Sequence, residues 1–299
     1  MVAQRVAGAL TLTPLGPFSL EESAIFGFGQ RDAADFDGVM RMAFCLDDHS
    51  GAVAVEVRQS SDGTVTVTVI APHGRDVDLA AVQRQVARIL SLADDATGYV
   101  EVGTRDPVVA RLQAAAPGLR PPLFHSPYEA AAWSVLSARR PHAQMAKLRE
   151  QFSAAHGTTF EVAGVTMAAF PTPEQLLTVS EFAGLPEVKL QRLHAVATAA
   201  LAGALDADTL RGQPTDAALD GLQRIPGIGP FYAQLVLLRA TGVRDLLPTD
   251  EPRLRELARE LYGLPEAPSV EEFARIAAPW SPWRTWVVVT MRAAARRLS

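Results

Sequence analysis

The stretch LDGLQRIPGIGPFYAQLVLLRATGVRDLLPTDEPRL, residues 219–254, decides how this chain is read. A helical run ends at Ile225, and Pro226-Gly227-Ile228-Gly229 makes a tight turn. A second helix starts around Pro230, where proline is well placed because the first helical N–H has no partner to lose. Phe231, Leu235 and Leu238 follow at i, i+4 and i+7 on one helix face, and Gly242 is placed to end the helix. Two glycines flanking one apolar residue let the turn's backbone approach another molecule closely. The amides exposed where the second helix begins suit a phosphate. Taken alone, the turn also fits a plain helix–helix connection. The residues beyond it add weight: Asp250 lies 21 residues past Gly229, after the apolar Leu246-Leu247-Pro248, at the entry to another helix.

Outward from this stretch, helical patterns succeed one another over 127–139, 141–154, 173–180, 187–204, 216–225, 231–241, 252–262, 270–277 and 283–297. Gly and Pro punctuate them, and beyond about 106 no strand signal remains. The first hundred residues differ. MRMAFCLD (40–47), AVAVEVRQ (52–59) and TVTVTVIA (64–71) are rich in Val and Thr, and the last alternates with the period of a half-buried strand. Turn-forming residues at 47–51 and 60–63 join them, so an antiparallel sheet follows. In LAAVQRQVARILSL (79–92), Val82, Val86, Ile89 and Leu90 recur at helical spacing. The fold class is α+β: an N-terminal antiparallel sheet domain with helices over 1–107, then an all-helical region over 108–299.

Composition narrows the function classes. The 299 residues are 48% apolar and 20% charged, which excludes a disordered chain and leaves room for two cored domains. Cys45 is the single cysteine, so neither a disulfide framework nor a multi-cysteine zinc site is available. No run of 18 apolar residues occurs, and Pro14 and Pro17 interrupt the apolar N-terminus, so no membrane partner and a cytoplasmic location are expected. The net charge of -5 is unusual for a nucleic-acid binder. Its distribution matters more: residues 1–105 hold 8 Lys/Arg against 14 Asp/Glu, and the remainder 20 against 19. The acidity thus belongs to the N-terminal third, and the helical part has room for a local basic face.

Several segments carry a resemblance. APGLRPPLFHSPYEAAAWSVL (116–136), FPTPEQLL (170–177), GLPEVKLQRLHAVATAAL (184–201), LQRIPGIG (222–229), LLPTD (246–250) and PWSPWRTW (279–286) are similar, in this order, to the helix-hairpin-helix Gly/Pro-Asp superfamily of DNA glycosylases. Within it they resemble the DNA-3-methyladenine glycosylase II family, and FGF (26–28) resembles that family's N-terminal pocket segment. The resemblance implies a helix-hairpin-helix at about 216–241 and an antiparallel N-terminal domain.

It also implies roles. Asp250 matches the family's catalytic aspartate. Cleaving an N-glycosidic bond develops positive charge on the sugar, which a fixed carboxylate stabilises while orienting the attacking water. The plainer reading of Asp250 is an N-cap before Glu251-Pro252, and the two are compatible. Phe231 stands where lyase-competent relatives carry a lysine. Phenylalanine cannot form a Schiff base, so a monofunctional enzyme is expected. The backbone carbonyls of Gln223, Ile225 and Ile228 match those that hold a monovalent cation, Na+ or K+, while the amides of Gly227 and Gly229 contact phosphate. No cofactor is expected for catalysis. Arg139 matches the side chain inserted into the duplex, or else is a cation at a helix C-terminus. The base pocket takes Phe28, Phe231, Leu235, Glu251 and Arg292, the last three at positions that are aromatic in the best-known branch. Glu251 and Arg292 either pair and reshape that pocket or lie at the surface. Trp280 and Trp283 are read as packing, and Arg284 as structural or phosphate-binding.

The expected function is a monofunctional DNA N-glycosylase of base excision repair, acting as a monomer on damaged, alkylated purines flipped out of double-stranded DNA at the nucleoid. The alternatives are a glycosylase for neutral lesions such as hypoxanthine or etheno-adenine, and a damage-binding protein with weak catalysis.

Overall fold

The computed structural model describes residues 3–26, 36–249 and 251–298. Four strands, β1 (Gln4–Leu12), β2 (Met40–Cys45), β3 (Ala52–Gln59) and β4 (Val65–Pro72), form an antiparallel sheet in the order β1-β4-β3-β2. Helix α1 (Leu20–Phe26) follows β1, and α2 (Leu79–Ile89) follows β4. The Val82, Val86 and Ile89 stripe of α2 packs on the sheet's valines. Asp78 caps this helix by accepting from the Ala80 and Ala81 amides. Strand β1 adds to the three expected from sequence; its residues precede the proline interruptions at 14 and 17 and carry little alternation. Its register shifts between Val6 and Gly8, and a Cβ at Gly8 would come within 2.6 Å of Leu79 Cδ1.

The other face of the sheet corrects the expectation of no strands beyond 106. A hairpin of β5 (Thr159–Val162) and β6 (Val165–Ala168) lies there, joined by Ala163 and Gly164 at φ 43° and 78°. Positive φ at both central residues is the geometry whose twist suits a two-residue hairpin. Strands of four residues are too short to display a period in sequence. Ala43, Ala52 and Ala54 present small side chains, so Phe160 and Val162 of the hairpin bury against them. This is why β3 is buried on both faces over most of its length.

The helices build two cores. One joins α6 (Pro127–Ser137), α7 (His142–His156), α8 (Pro173–Leu177), α9 (Glu187–Leu201), α10 (Ala207–Gly212), α11 (Thr215–Gln223) and α12 (Pro230–Ala240). The other joins α3 (Thr97–Val100), α4 (Val102–Arg105) and α5 (Pro107–Ala115) with α13 (Pro252–Tyr262), α14 (Val270–Ile276) and α15 (Arg284–Ala294). Core membership therefore does not divide at residue 107, since Tyr99 and Val102 pack with α15. Asp106 knots this second core: it caps α5 through the Val108 and Val109 amides and accepts from Trp280 Nε1 at 2.9 Å and the Tyr262 hydroxyl at 2.5 Å. Trp280 and Trp283 are buried packing residues, as expected.

Two buried charges tie the parts together. The Arg120 guanidinium donates to the carbonyls of Leu15, Gly16, Pro17, Ser91 and Asp94. Burial lowers its pKa to about 10, which leaves it charged at neutral pH. Glu129 of α6 receives the Cys45 amide of β2 on one oxygen and His125 and Arg149 on the other, at 3.0 and 2.6 Å. Burial alone would raise the Glu129 pKa, but His125, Arg149 and the Cys45 amide hold it below the ordinary value.

Candidate active site

The hairpin is as the sequence implied. Helix α11 ends at Gln223, α12 begins at Pro230, and Gly229 is the N-cap of α12. Ile225 and Ile228 are buried, anchoring the turn from below, and the Ile228 amide donates to the Ile225 carbonyl at 3.0 Å. Gly227 sits at φ 96°, where only glycine is unstrained, and a Cβ there would meet Arg192 Cδ at 2.8 Å. Among the described residues, the Gly227 and Gly229 amides donate no hydrogen bond outside the helices. Two backbone donors thus stand open at a helix N-terminus, which is a phosphate-binding arrangement.

A basic rim surrounds the turn, and most of it was not visible in sequence. Arg139, exposed between α6 and α7, has φ 56°, unusual for a residue with a side chain. Lys189 of α9 holds that bend by donating from Nζ to the carbonyls of Leu136 and Ala138. Its pKa is lowered by burial first, then by the nearby charges of Arg140 and Arg192. Arg192 thus stands against Gly227, and Lys189, one turn away on α9, is bound to the bend that carries Arg139 and Arg140, a local positive face that the near-neutral charge of the helical region left room for. In sequence they sit on two segments about fifty residues apart, so no charge run announces them.

Phe28 and Asp250 lie outside the described residues; the segments on both sides of Asp250 are described. Before it, Asp245 accepts from Arg284 Nε and Nη2, both at 2.7 Å, from the Arg284 amide at 3.2 Å and from Ser281 Oγ at 3.0 Å. Burial would raise the Asp245 pKa, but the Arg284 and Ser281 bonds hold it below 3.8. The Thr285 amide donates to the Arg244 carbonyl at 2.9 Å, and Thr285 Oγ1 both accepts from the Leu246 amide and donates to its carbonyl. After Asp250, Glu251 is the N-cap of α13, and its carboxylate forms an ion pair with Arg292. Arg284 and Thr285 begin α15, and Arg292 lies two turns further along it. One helix thus laces both flanks of the Asp250 position. Arg284 is structural through Asp245.

Phe231 and Leu235, which the resemblance assigns to the base pocket, lie on α12. Phe231, Leu235 and Arg239 stand four residues apart on one stripe. Phe231 is 58% exposed at the hairpin end, with Tyr232 edge-on at 5.3 Å, while Leu235 is half-buried. Arg239, which belongs to no motif in the sequence, lies over the Phe26 ring at 5.3 Å and donates to the Pro122 carbonyl at 2.7 Å. Its pKa is lowered to about 10 by burial and, second, by the charge of Arg292. An arginine on an amphipathic helix reads as solvent-facing; only tertiary packing turns this one inward.

Among the described residues no group of three or more His, Cys, Asp and Glu could hold a metal ion, and no helix is long and apolar enough to cross a membrane. The carbonyls of Gln223 and Ile228 accept no hydrogen bond from outside the helices among the described residues, whereas that of Ile225 accepts from the Ile228 amide.

No family model matches the chain. A DNA-3-methyladenine glycosylase of Bacillus subtilis is 27% identical over 199 residues, 65% of this chain and 66% of that protein. DNA-3-methyladenine glycosylase 2 of Escherichia coli is 29% identical over 185 residues, 60% of this chain and 62% of that one. A solved 3-methyladenine DNA glycosylase from Archaeoglobus fulgidus superposes with a TM-score of 0.78 at 22% identity, covering 97% of this chain and 99% of its own.

Proposed function

This chain is a relative of the DNA-3-methyladenine glycosylases, and we propose that it is a monofunctional DNA N-glycosylase excising damaged, alkylated purines from duplex DNA. The observation that carries this is the lacing of both flanks of Asp250 to α15, within a fold that also presents an open-amide hairpin. A carboxylate acts on a developing sugar cation best when it is held in place before the reaction, and bound segments on both sides of Asp250 support that reading.

The hairpin amides of Gly227 and Gly229 hold one phosphate, assisted by a monovalent cation on the Gln223, Ile225 and Ile228 carbonyls. The rim of Arg139, Arg140, Lys189 and Arg192 grips neighbouring phosphates, and Arg139 occupies the gap left by the extruded nucleotide. The damaged base enters the cleft bounded by Phe28, Phe231, Leu235, Glu251 and Arg292. As the glycosidic bond lengthens, the pair of electrons leaves with the base and positive charge grows on the sugar. Asp250 stabilises that charge and orients the water that adds to the sugar carbon, taking up its proton. Phe231 offers no amine, so the strand stays intact. The working unit is a monomer on double-stranded DNA.

The test is a panel of lesion-bearing duplexes. Free base should be released, and strand breaks should appear only after alkali. Strand cleavage without alkali would reject the monofunctional mechanism, and no release from any lesion would favour the damage-binding alternative.

A further inference from the structure

We propose that Lys189 is a positioning residue that fixes Arg139 relative to the phosphate-binding hairpin, and so governs how readily the damaged nucleotide leaves the stack. The inference rests on the proposed insertion of Arg139 into the duplex and adds the residue that presents it.

Residues 137–140 form a β-turn closed by the Arg140 amide on the Ser137 carbonyl at 3.2 Å. Ala138 lies at φ −53°, ψ 121° and Arg139 at φ 56°, the type II pattern, whose third position ordinarily takes glycine or asparagine. An arginine persists there only where its surroundings determine the conformation. Lys189, half-buried on α9, supplies that determination. Its Nζ donates to the Leu136 and Ala138 carbonyls at 2.5 and 3.2 Å, so one ammonium grips both the end of α6 and the inside of the turn. Carbonyls at a helix C-terminus lack helical partners and favour a cation. Two of the three ammonium donors are engaged in this way, which leaves the third for phosphate. Across the bend, Trp133 of α6 meets His142 of α7 edge-on, with ring centroids 5.0 Å apart. Residues 139–144 are all exposed, so the braced turn ends in a solvent-facing tip.

The same two helices back the hairpin. A Cβ at Gly227 would come within 2.8 Å of Arg192 Cδ and 3.4 Å of Val135 Cγ2. Val135 immediately precedes Leu136 on α6, and Arg192 stands one turn beyond Lys189 on α9. The Lys189 bonds therefore close a circuit of hairpin, α9 and tip. With the ammonium in place, packed helices set the spacing between the Gly227 and Gly229 amides and Arg139. Without it, the turn relaxes toward conformations that suit arginine better. The hairpin still grips its phosphate, but the tip no longer meets the base step beside the lesion.

Two measurements at saturating protein test this, and one needs no catalysis. On a duplex with 2-aminopurine beside a tetrahydrofuran abasic site, the fluorescence change reports insertion. Single-turnover release of a damaged base reports flipping and cleavage together. Lys189→Met, which keeps the length and loses the donors, should at least halve the fluorescence change and slow release from a paired duplex about tenfold. When the same lesion faces an abasic position and is already unpaired, release should slow by less than about threefold. Lys189→Arg, which restores a cation with donors, should recover most of both signals. Lys189→Met combined with Arg139→Ala should lose no more than Arg139→Ala alone, because a residue acting only through another has no effect in its absence. Should Lys189→Met fail to fold, Lys189→Gln carries the same comparisons. Equal slowing of paired and unpaired lesions, or losses that add in the double variant, would overturn the inference and reduce Lys189 to a helix cap or phosphate contact. Arg139→Ala with wild-type fluorescence would overturn it too, by removing the insertion on which it rests. Release from no lesion at all would remove the glycosylase activity, and the fluorescence comparison alone would then decide for or against Lys189.

Discussion

At the residue scale, the side chains that matter most are those holding others. Asp245 is one. Its carboxyl is held below 3.8 chiefly through Arg284 once the opposing effect of burial is overcome. A lowered carboxyl contributes stability that is complete above its unfolded value and lost as pH falls through the folded one. Asp245→Asn should therefore be less stable than wild type at neutral pH, and urea titrations should show that gap closing as pH drops below 3.8. A gap independent of pH would mean that the Arg284 pair does not hold the loop. Glu251 and Arg292 illustrate how far the chain could be read directly. Their pairing was one of two alternatives open from sequence, and the structure shows it formed. Arg239 and Lys189 gave no such warning. A cation at a helical position carries no mark of which way it faces, and in both cases a carbonyl from a distant segment, Pro122 or Leu136, fixes the direction.

At the scale of elements, the hairpin and α15 divide the work between holding and positioning. The two hairpin glycines are not equivalent. Alanine at Gly227 must adopt φ 96° and push against Arg192, whereas the space around Gly229 is open at φ −91°. The left-handed conformation alone costs about 1–2 kcal/mol. Gly227→Ala should thus lower both the melting temperature and duplex affinity, the latter by tenfold or more, while Gly229→Ala should keep its melting temperature. Calorimetry beside a fluorescence-anisotropy titration would check both. Helices framed by Pro and Gly were legible to within a few residues, and α13 runs over 252–262 as expected. The β5–β6 hairpin was not, because four-residue strands show no period, and its partners are alanines whose role is to leave space.

At the scale of the molecule, buried polar contacts join the sheet domain to the helical cores. Glu129 is fully buried and pairs with β2, His125 and α7 at once. Replacing one member of a buried charged set strands the others, at about 3–5 kcal/mol. Glu129→Gln should lose stability of that order in chemical denaturation, and a loss below about 1 kcal/mol would show that the contact is not a clamp. The net charge of -5 no longer argues against DNA, since the basic rim is assembled from two segments of the helical part while the deficit lies in the first 105 residues. Binding should still depend on salt. Removing two rim charges, Arg139→Ala with Arg192→Ala, should reduce the slope of log K against log salt by about 1.8. An unchanged slope would place the phosphates elsewhere.

Asp250 is the residue on which the proposed reaction depends, and the described segments on both sides of it are bound to α15. Single-turnover release of a damaged base by wild type and by Asp250→Asn, each saturating the same duplex, tests that assignment most directly. Release should fall at least a hundredfold in the variant while duplex affinity stays within a few-fold of wild type. Release by Asp250→Asn at the wild-type rate would contradict the assignment of the chemistry to this site.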